Sequence, residues 1–265
     1  MKIGFIGLGN MATAIIGGML KQGICTPGEI TGTAHTEETA QKVAKEFGII
    51  TFAGHNQDVA LKSDLLFLAV KPQVLPEVLK EIKFSILPET LVVSIVAGKD
   101  LAYLAKELGP DTRIIRCMPN TPALVGEGCT AICANDHVNS VELEQVRNIF
   151  NSFGKGIEVP EKWMDAVVGV SGSGPAYVFM FIEAMADAAV QQGMPRKQAY
   201  EFAAQTVLGS ARMVLETGKH PGELKDMVCS PAGTTIEAVK VLEEKNFRGA
   251  VMDAVIACAE KSRNL

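Results

Sequence analysis

The fold turns on the first twelve residues, M-K-I-G-F-I-G-L-G-N-M-A (residues 1–12). An apolar run over residues 3–6 breaks into Gly7, Gly9 and the small Ala12, then continues as M-A-T-A-I-I from Met11. That order reads as strand, tight turn, helix. Gly7 permits the turn, Gly9 lets the backbone approach a pyrophosphate, and Ala12 lets helix and strand pack closely. The free N–H groups and dipole at the start of such a helix favour an anion. A lone G-x-G-x-x-[GA] is a weak signal, because glycine-rich turns are common. Here strand, turn and helix agree, and the stretch predicts a dinucleotide-binding unit.

Outward from that stretch, predicted strands at 3–6, 30–34, 48–51, 65–70, 91–95 and 113–116 alternate with predicted helices at 11–22, 36–47, 57–62, 74–82 and 101–108. Such alternation implies a parallel sheet covered on both faces. Strand-like runs at 130–134 and 156–159 bracket a helix over 141–152 and extend the sheet. After Pro160 the strands stop, and helices are predicted over 176–192, 196–217, 235–245 and 247–261. Gly193 and Gly218 stand where helices end. The predicted organisation is α/β: a Rossmann-type, doubly wound domain over 1–160, then an all-helical substrate-binding and dimerisation domain over 161–265. The helix at 176–192 is apolar almost all round, through Phe179, Met180, Phe181, Ile182, Met185, Ala186 and Val190. So small a domain cannot bury it on every side, and a second copy of the chain can. In the last helix Phe247, Val251, Ala254, Val255 and Cys258 form one apolar stripe.

Composition narrows the function. The 265 residues are 48% hydrophobic, enough for a sizeable core, and carry a formal charge of −5. That charge, with no basic arm, argues against a nucleic-acid partner. The apolar N-terminal run is only strand length, so no signal peptide is expected, and no uninterrupted apolar stretch is long enough for a bilayer. Six cysteines are scattered among apolar neighbours without C-x-x-C or His at ligand spacing. They read as reduced thiols of a cytoplasmic protein, with no metal site.

The end of the second strand bears on the choice of dinucleotide. An NAD unit places a carboxylate there to hold the ribose hydroxyls. Glu29 precedes that strand, and the strand ends T-A-H-T from Thr33. His35 and Thr36 offer donors to a 2′-phosphate, which favours NADPH, with NADH still possible. Further cofactor candidates sit in the crevice at other strand ends: Asn56 after the third, Ala69, Val70, Lys71 and Pro72 after the fourth, and Ile95, Val96 and Ala97 at the fifth. Asn120, in M-P-N-T-P after the sixth strand, is counted with them.

Two small-residue segments each read as a loop feeding a helix N-terminus: S-G-S-G-P-A-Y from Ser171 and S-P-A-G-T-T from Ser230. Such loops cradle carboxylates or phosphates, although ordinary capping explains either one alone. No Ser-His-Asp arrangement is evident, and G-V-S-G-S-G lacks the strand of a nucleophile elbow. The absence of an acid–base constellation predicts a reaction that needs little proton shuttling.

Together these segments resemble the pyrroline-5-carboxylate reductase family, which makes proline in the last step of its synthesis. The likeness runs from F-I-G-L-G-N-M-A at Phe5 through F-L-A-V-K-P at Phe67, R-C-M-P-N-T-P at Arg116 and S-G-S-G-P-A-Y at Ser171. Its most specific stretch is H-P-G-E-L-K-D-M-V-C-S-P-A-G-T-T from His220. The resemblance implies a Rossmann domain, a helical domain that interlocks with a partner's, an active site between them, and a homodimer that often assembles further. By position it implies that Ile6, Gly7, Leu8, Gly9, Asn10, Met11, Asn56, Ala69 to Pro72 and Ile95 to Ala97 bind NAD(P)H. Ser173, Gly174, Ser230, Gly233 and Thr234 would hold the substrate with Thr235, whose hydroxyl would act on the ring nitrogen. Two positions depart from the family: Ala34, often Ser, leaves the 2′-phosphate to Thr33, His35 or Thr36, and Ala232 stands where Gly is common. The alternatives are a related NADP-dependent imine or keto-acid reductase, and a sensor that binds NADP without chemistry.

Overall fold

The computed structural model describes residues 1–264. The chain divides into two compact units, Met1–Ser173 with the last residues from Ala257, and Gly174–Ile256. In the first, β1 (Ile3–Ile6), β2 (Ile30–Ala34), β3 (Ile50–Ala53), β4 (Leu65–Leu68), β5 (Leu91–Ser94), β6 (Arg113–Met118), β7 (Gly128–Ala134) and β8 (Gly154–Glu158) form one sheet. Its strand order is β3-β2-β1-β4-β5-β6-β7-β8. Every pairing is parallel except β6 with β7, which is antiparallel. The order reverses between β1 and β4, and the carboxyl ends of those strands open the crevice in which such sheets bind ligands.

Helices α1 (Asn10–Lys21), α2 (Glu37–Phe47), α3 (Asn56–Leu61), α4 (Leu75–Ile82), α5 (Leu101–Leu108) and α6 (Ser140–Asn151) cover the sheet. Alternation along each strand sends side chains to two separate cores. Ile3, Phe5, Phe67, Val93 and Ile115 pack with Ile15, Ile16, Met19, Val43, Ile149 and Phe150 on one face. Ile6, Leu66, Leu68, Val92 and Ile114 pack with Val59, Leu75, Leu79, Ile82 and Leu104 on the other. Phe5 and Phe67 are register partners whose rings stack at 4.6 Å, a contact worth about 0.5–1.5 kcal/mol beyond burial. Strands β1, β4 and β5 are buried throughout, which explains their continuous apolar runs.

The third strand lies two residues beyond its predicted start. Gly48 ends α2 in a left-handed conformation at φ +70°, so the chain is still turning where a strand was expected. Strand β4 stops at Leu68 rather than residue 70, because Ala69 and Val70 already turn past Gly7.

The texture changes at Pro160, as the sequence implies, yet the next residues pack with the sheet. Met164, in the single turn α7 (Met164–Val167), is buried against Ala131 and Cys133 of β7. Ser262 donates to Asp165 at 2.7 Å. The second unit holds α8 (Gly174–Gln191), α9 (Arg196–Thr217), α10 (Pro221–Val228), α11 (Thr234–Glu244) and the start of α12 (Phe247–Arg263). Helix α10 was not expected; His220 caps it, accepting from the Gly222 N–H at 3.0 Å, and Pro221 sits in its first turn.

Candidate active site

The β1–α1 turn has the form an anion site requires. Gly7 stands at φ +97°, and a Cβ there would meet the Ala69 carbonyl oxygen at 2.6 Å. Only glycine fits both demands. Gly9 caps α1 with no side-chain hydrogen bond, and a Cβ on it would touch nothing within 4 Å. Asn10, Met11 and the buried Ala12 follow in the first turn, which carries no acidic residue. The N–H groups there have no side-chain cap, and the positive end of the helix dipole lies behind them. Leu8 folds inward instead, over Gly32.

The other strand ends frame the same crevice. Ala69 donates its N–H to Ile6 at 2.8 Å, and Ile95 donates to Leu68 at 3.0 Å, so the turns after β1, β4 and β5 are tied in sequence. Val70 and Pro72 are half-buried and Lys71 is exposed beside them. Val96 is buried, with Ile95 and Ala97 half-buried on either side.

At the β2 end the structure corrects one expectation. Thr33 is buried and donates its hydroxyl to Asn56 Oδ1 at 2.7 Å, so it is no ligand for a 2′-phosphate. His35 and Thr36 are exposed. Thr36 caps α2, accepting from the Thr39 N–H. Glu29 lies where the sequence put it, away from this end. It accepts from the Thr26 N–H and hydroxyl at 2.8 and 2.9 Å and from the N-terminal ammonium at 3.2 Å. Those bonds, the Thr26 N–H first, hold its carboxyl down at about 2.

Asn56 is engaged at both ends of its amide. Its Nδ2 donates to Glu81 Oε2 at 2.8 Å while Oδ1 takes the Thr33 hydroxyl. The carboxylate accepts only, which fixes the amide the right way round. Nothing in the sequence announced Glu81, because its partner lies 25 residues away on another helix.

A second correction concerns residues 171–177. They are not a loop before a helix. Residues Glu161–Gln191 run as one helical stretch, broken by a π-turn at Val168–Gly172, where the Ser173 N–H bonds to the Val168 carbonyl at 2.8 Å. Ser173 and Gly174 therefore sit inside helical chain, and no free N-terminal cradle exists there. That stretch is long and apolar enough to cross a membrane by length and composition alone. Asn120, expected on the cofactor, makes two hydrogen bonds within the protein. It is 8% exposed, accepts from the Cys129 N–H at 2.8 Å and donates to the Ser171 carbonyl at 3.0 Å.

In the second unit the Ser230–Thr235 segment does form a loop that opens a helix, α11, one residue earlier than predicted. The Gly233 N–H closes a turn on the Ser230 carbonyl at 3.0 Å, and Gly233 caps the helix without a side-chain bond. Ser230 Oγ packs so close that a Cβ on Gly233 would stand 2.3 Å from it. The backbone N–H groups of Thr234 and Thr235 follow, uncapped, with the Thr235 side chain half-buried. Ala232 adopts φ +55°, a left-handed conformation that explains why a glycine is common at this position.

This unit alone buries little. In α8 only Gly174 and Ala186 are buried, while Phe179 is 62% and Met180 70% exposed. Phe202 and Leu215 on α9 and Met252 on α12 are likewise open. Its own core is small: Ala186, Ala199 and Ala203 with Ile182, Met185 and Val190 around them. Apolar faces of this extent mark an interface.

Among the described residues no three His, Cys, Asp or Glu side chains are grouped to hold a metal ion. A doubly wound sheet with a glycine cradle at its switch point, joined to a helical unit with open apolar faces, defines a dinucleotide-dependent oxidoreductase that works as an assembly. Comparison with known proteins bears this out. A family described as NADP oxidoreductase, coenzyme F420-dependent, matches residues 2–98, and one described as pyrroline-5-carboxylate reductase dimerisation matches residues 161–265. The chain is 56% identical over 264 residues to the pyrroline-5-carboxylate reductase of Escherichia coli, covering 100% of this chain and 98% of that one. It is 48% identical to that of Methanosarcina acetivorans, covering 100% and 97%. The crystal structure of Plasmodium falciparum pyrroline carboxylate reductase with NADP bound superposes with a TM-score of 0.91 at 36% identity, covering 100% and 97%. The chain belongs to the pyrroline-5-carboxylate reductase family.

Proposed function

We infer that this chain reduces 1-pyrroline-5-carboxylate to L-proline with NADPH, the final step of proline synthesis. The observation that carries the reading is the 56% identity to a pyrroline-5-carboxylate reductase along essentially the whole of both chains. The cofactor fits the residues present: the β1–α1 turn offers uncapped N–H groups to a diphosphate, and Gly9 leaves open the space beside them that a side chain would enter. When bound, NADPH would supply the hydride that adds to the imine carbon, the one that becomes Cδ of proline, while the ring nitrogen, entering as the protonated imine, would become the amine of proline.

The chain's own residues then bind and orient. Ile6 to Met11 hold the diphosphate, with Lys71 as a nearby cation. Asn56, His35 and Thr36 face the adenosine ribose and its 2′-phosphate. The turns at Ala69 to Pro72 and Ile95 to Ala97 border the remainder of the cofactor. Thr234 receives the substrate carboxylate on its backbone N–H at the start of α11, and Ser230 and Gly233 form the turn that presents it. Thr235 hydrogen-bonds the ring nitrogen, and Ser173 and Gly174 complete the substrate site. A protonated imine is already electrophilic, so no strong acid is required. Positioning of this kind supplies roughly 7–11 kcal/mol of barrier reduction.

The protein carries the dimerisation domain of its family. The homodimer forms through the open faces of α8, α9 and α12, and dimers associate further. It acts in the cytoplasm.

Thr235→Val tests the assignment of the substrate site. A hydrogen bond to a charged group contributes about 1.5–3 kcal/mol, so kcat/KM for the imine is expected to fall about ten- to a hundredfold. NADPH affinity should stay as it was. Unchanged turnover would remove Thr235 from the mechanism.

A further inference from the structure

The Ser171 carbonyl, two residues before Ser173, is an unusual group. In an uninterrupted α-helix it would accept from the N–H four residues on. That residue is Pro175, which has no N–H to give. A carbonyl orphaned in this way needs another donor or pays the cost of desolvation. Asn120 provides one, at 3.0 Å, from a residue that is 8% exposed.

The geometry around that bond is tightly determined. Asn120 Oδ1 accepts from the Cys129 N–H at 2.8 Å, which leaves Nδ2 no choice but to point at Ser171. Asn120 follows directly on β6, whose carboxyl end lies on the same edge of the sheet as the turns after β1, β4 and β5. Met118, the last residue of β6, packs under Gly172: a Cβ there would stand 3.1 Å from its methyl carbon. On the far side Cys258 Sγ donates to the Ser173 hydroxyl at 3.0 Å. The π-turn is thus fastened to the sheet by Asn120, and Ser173 is its next residue. Insertions of this kind are frequent at functional sites, where they re-aim a side chain.

We propose that Asn120 is a positioning residue for imine reduction: by capturing the Ser171 carbonyl that Pro175 leaves without a donor, it holds the π-turn and so sets where Ser173 stands. This rests on Ser173 belonging to the substrate site. It replaces a role in binding cofactor, and the two roles predict different losses.

The test compares Asn120→Asp with the unaltered enzyme. The aspartate keeps an acceptor for the Cys129 N–H but loses the donor to Ser171. The expected result is a fall of about tenfold in kcat/KM for pyrroline-5-carboxylate, with the dissociation constant for NADPH, read by fluorescence titration, within about twofold of the unaltered enzyme. Pro175→Ala supplies the missing N–H, so adding Asn120→Asp to it should cost less than about threefold further. Weakened NADPH binding in Asn120→Asp would return the residue to the cofactor and overturn the proposal. So would unchanged imine kinetics, or an equal loss in both backgrounds. If Asn120→Asp unfolds, Ser173→Ala decides: imine kinetics unaffected by it would also overturn the proposal. An unaltered enzyme that turns over no pyrroline-5-carboxylate would instead strike down the functional reading itself.

Discussion

Gly7 and Ala69 meet backbone to backbone: a Cβ on Gly7 would lie 2.6 Å from the Ala69 carbonyl oxygen and 2.7 Å from its carbonyl carbon. The turns after β1 and β4, on either side of the switch point, therefore have no room for a side chain between them. The glycine's φ of +97° adds a conformational demand to the steric one. Gly7→Ala should combine left-handed strain with overpacking, a loss of about 3 kcal/mol of stability. Calorimetry should show a melting temperature lower by several degrees, and titration should show NADPH affinity reduced at least tenfold. A variant that melts and binds like the parent would mean that the two turns separate freely.

Ala232 invites the opposite substitution. At φ +55° it bears the strain that a glycine avoids. Ala232→Gly should remove about 1 kcal/mol of that strain, less the entropy that glycine loses on folding. The expected change is a melting temperature raised by about 1–3 °C, with imine kcat/KM preserved. A lower melting temperature would show that the turn is not strained.

The open faces of the second unit call for a partner. Phe179 and Met180 are 62% and 70% exposed on a helix with two buried residues. Phe179→Glu should weaken association and activity together, because a charge in the interface has no partner. Light scattering at micromolar concentration is expected to report a dimer or larger for the parent and a smaller species for the variant. A parent that is active as a monomer would contradict the assembly.

Cys133 predicts a response to alkali. Burial first, and Glu161 second, push its thiol up to about 12, against some help from Arg116 in the other direction. A group whose pKa is raised by folding stabilises the fold below its unfolded value, near 9, and that contribution is lost as pH rises from there toward 12. Cys117, fully buried, shifts the same way. Both thiols should resist a disulfide reagent at pH 8 while the sheet is folded and react on unfolding. Rapid modification of Cys133 in the native protein would contradict this.

Much of the first unit was legible because its signals are local. The run from Ile3, the turn at Gly7 and the apolar helix after it report strand, turn and helix in a dozen residues. Strands buried on both faces, such as Leu65–Leu68, read as continuous apolar runs. The Ser230–Thr235 loop was legible for the same reason. What sequence missed depends on contacts between distant residues. Thr33 looked like a free donor until Asn56 claimed it, 23 residues away. Asn120 holds the Ser171 carbonyl, 51 residues away, a contact that no local pattern shows. The π-turn itself had one local signal, a proline placed inside an apolar helical run. Glycines and serines around it disguised that signal as a loop. Helix α10 does carry a local signal, His220 as its cap and Pro221 in its first turn.

The central claim is that this chain passes hydride from NADPH to a cyclic imine that bears a carboxylate. The direct measurement is NADPH absorbance at 340 nm, a wavelength set by the cofactor, with pyrroline-5-carboxylate added and proline quantified at the end. Oxidation dependent on the imine, yielding one proline per NADPH consumed, is the predicted result. No oxidation with this substrate, or preferential oxidation with a six-membered imine or a keto acid, would contradict it.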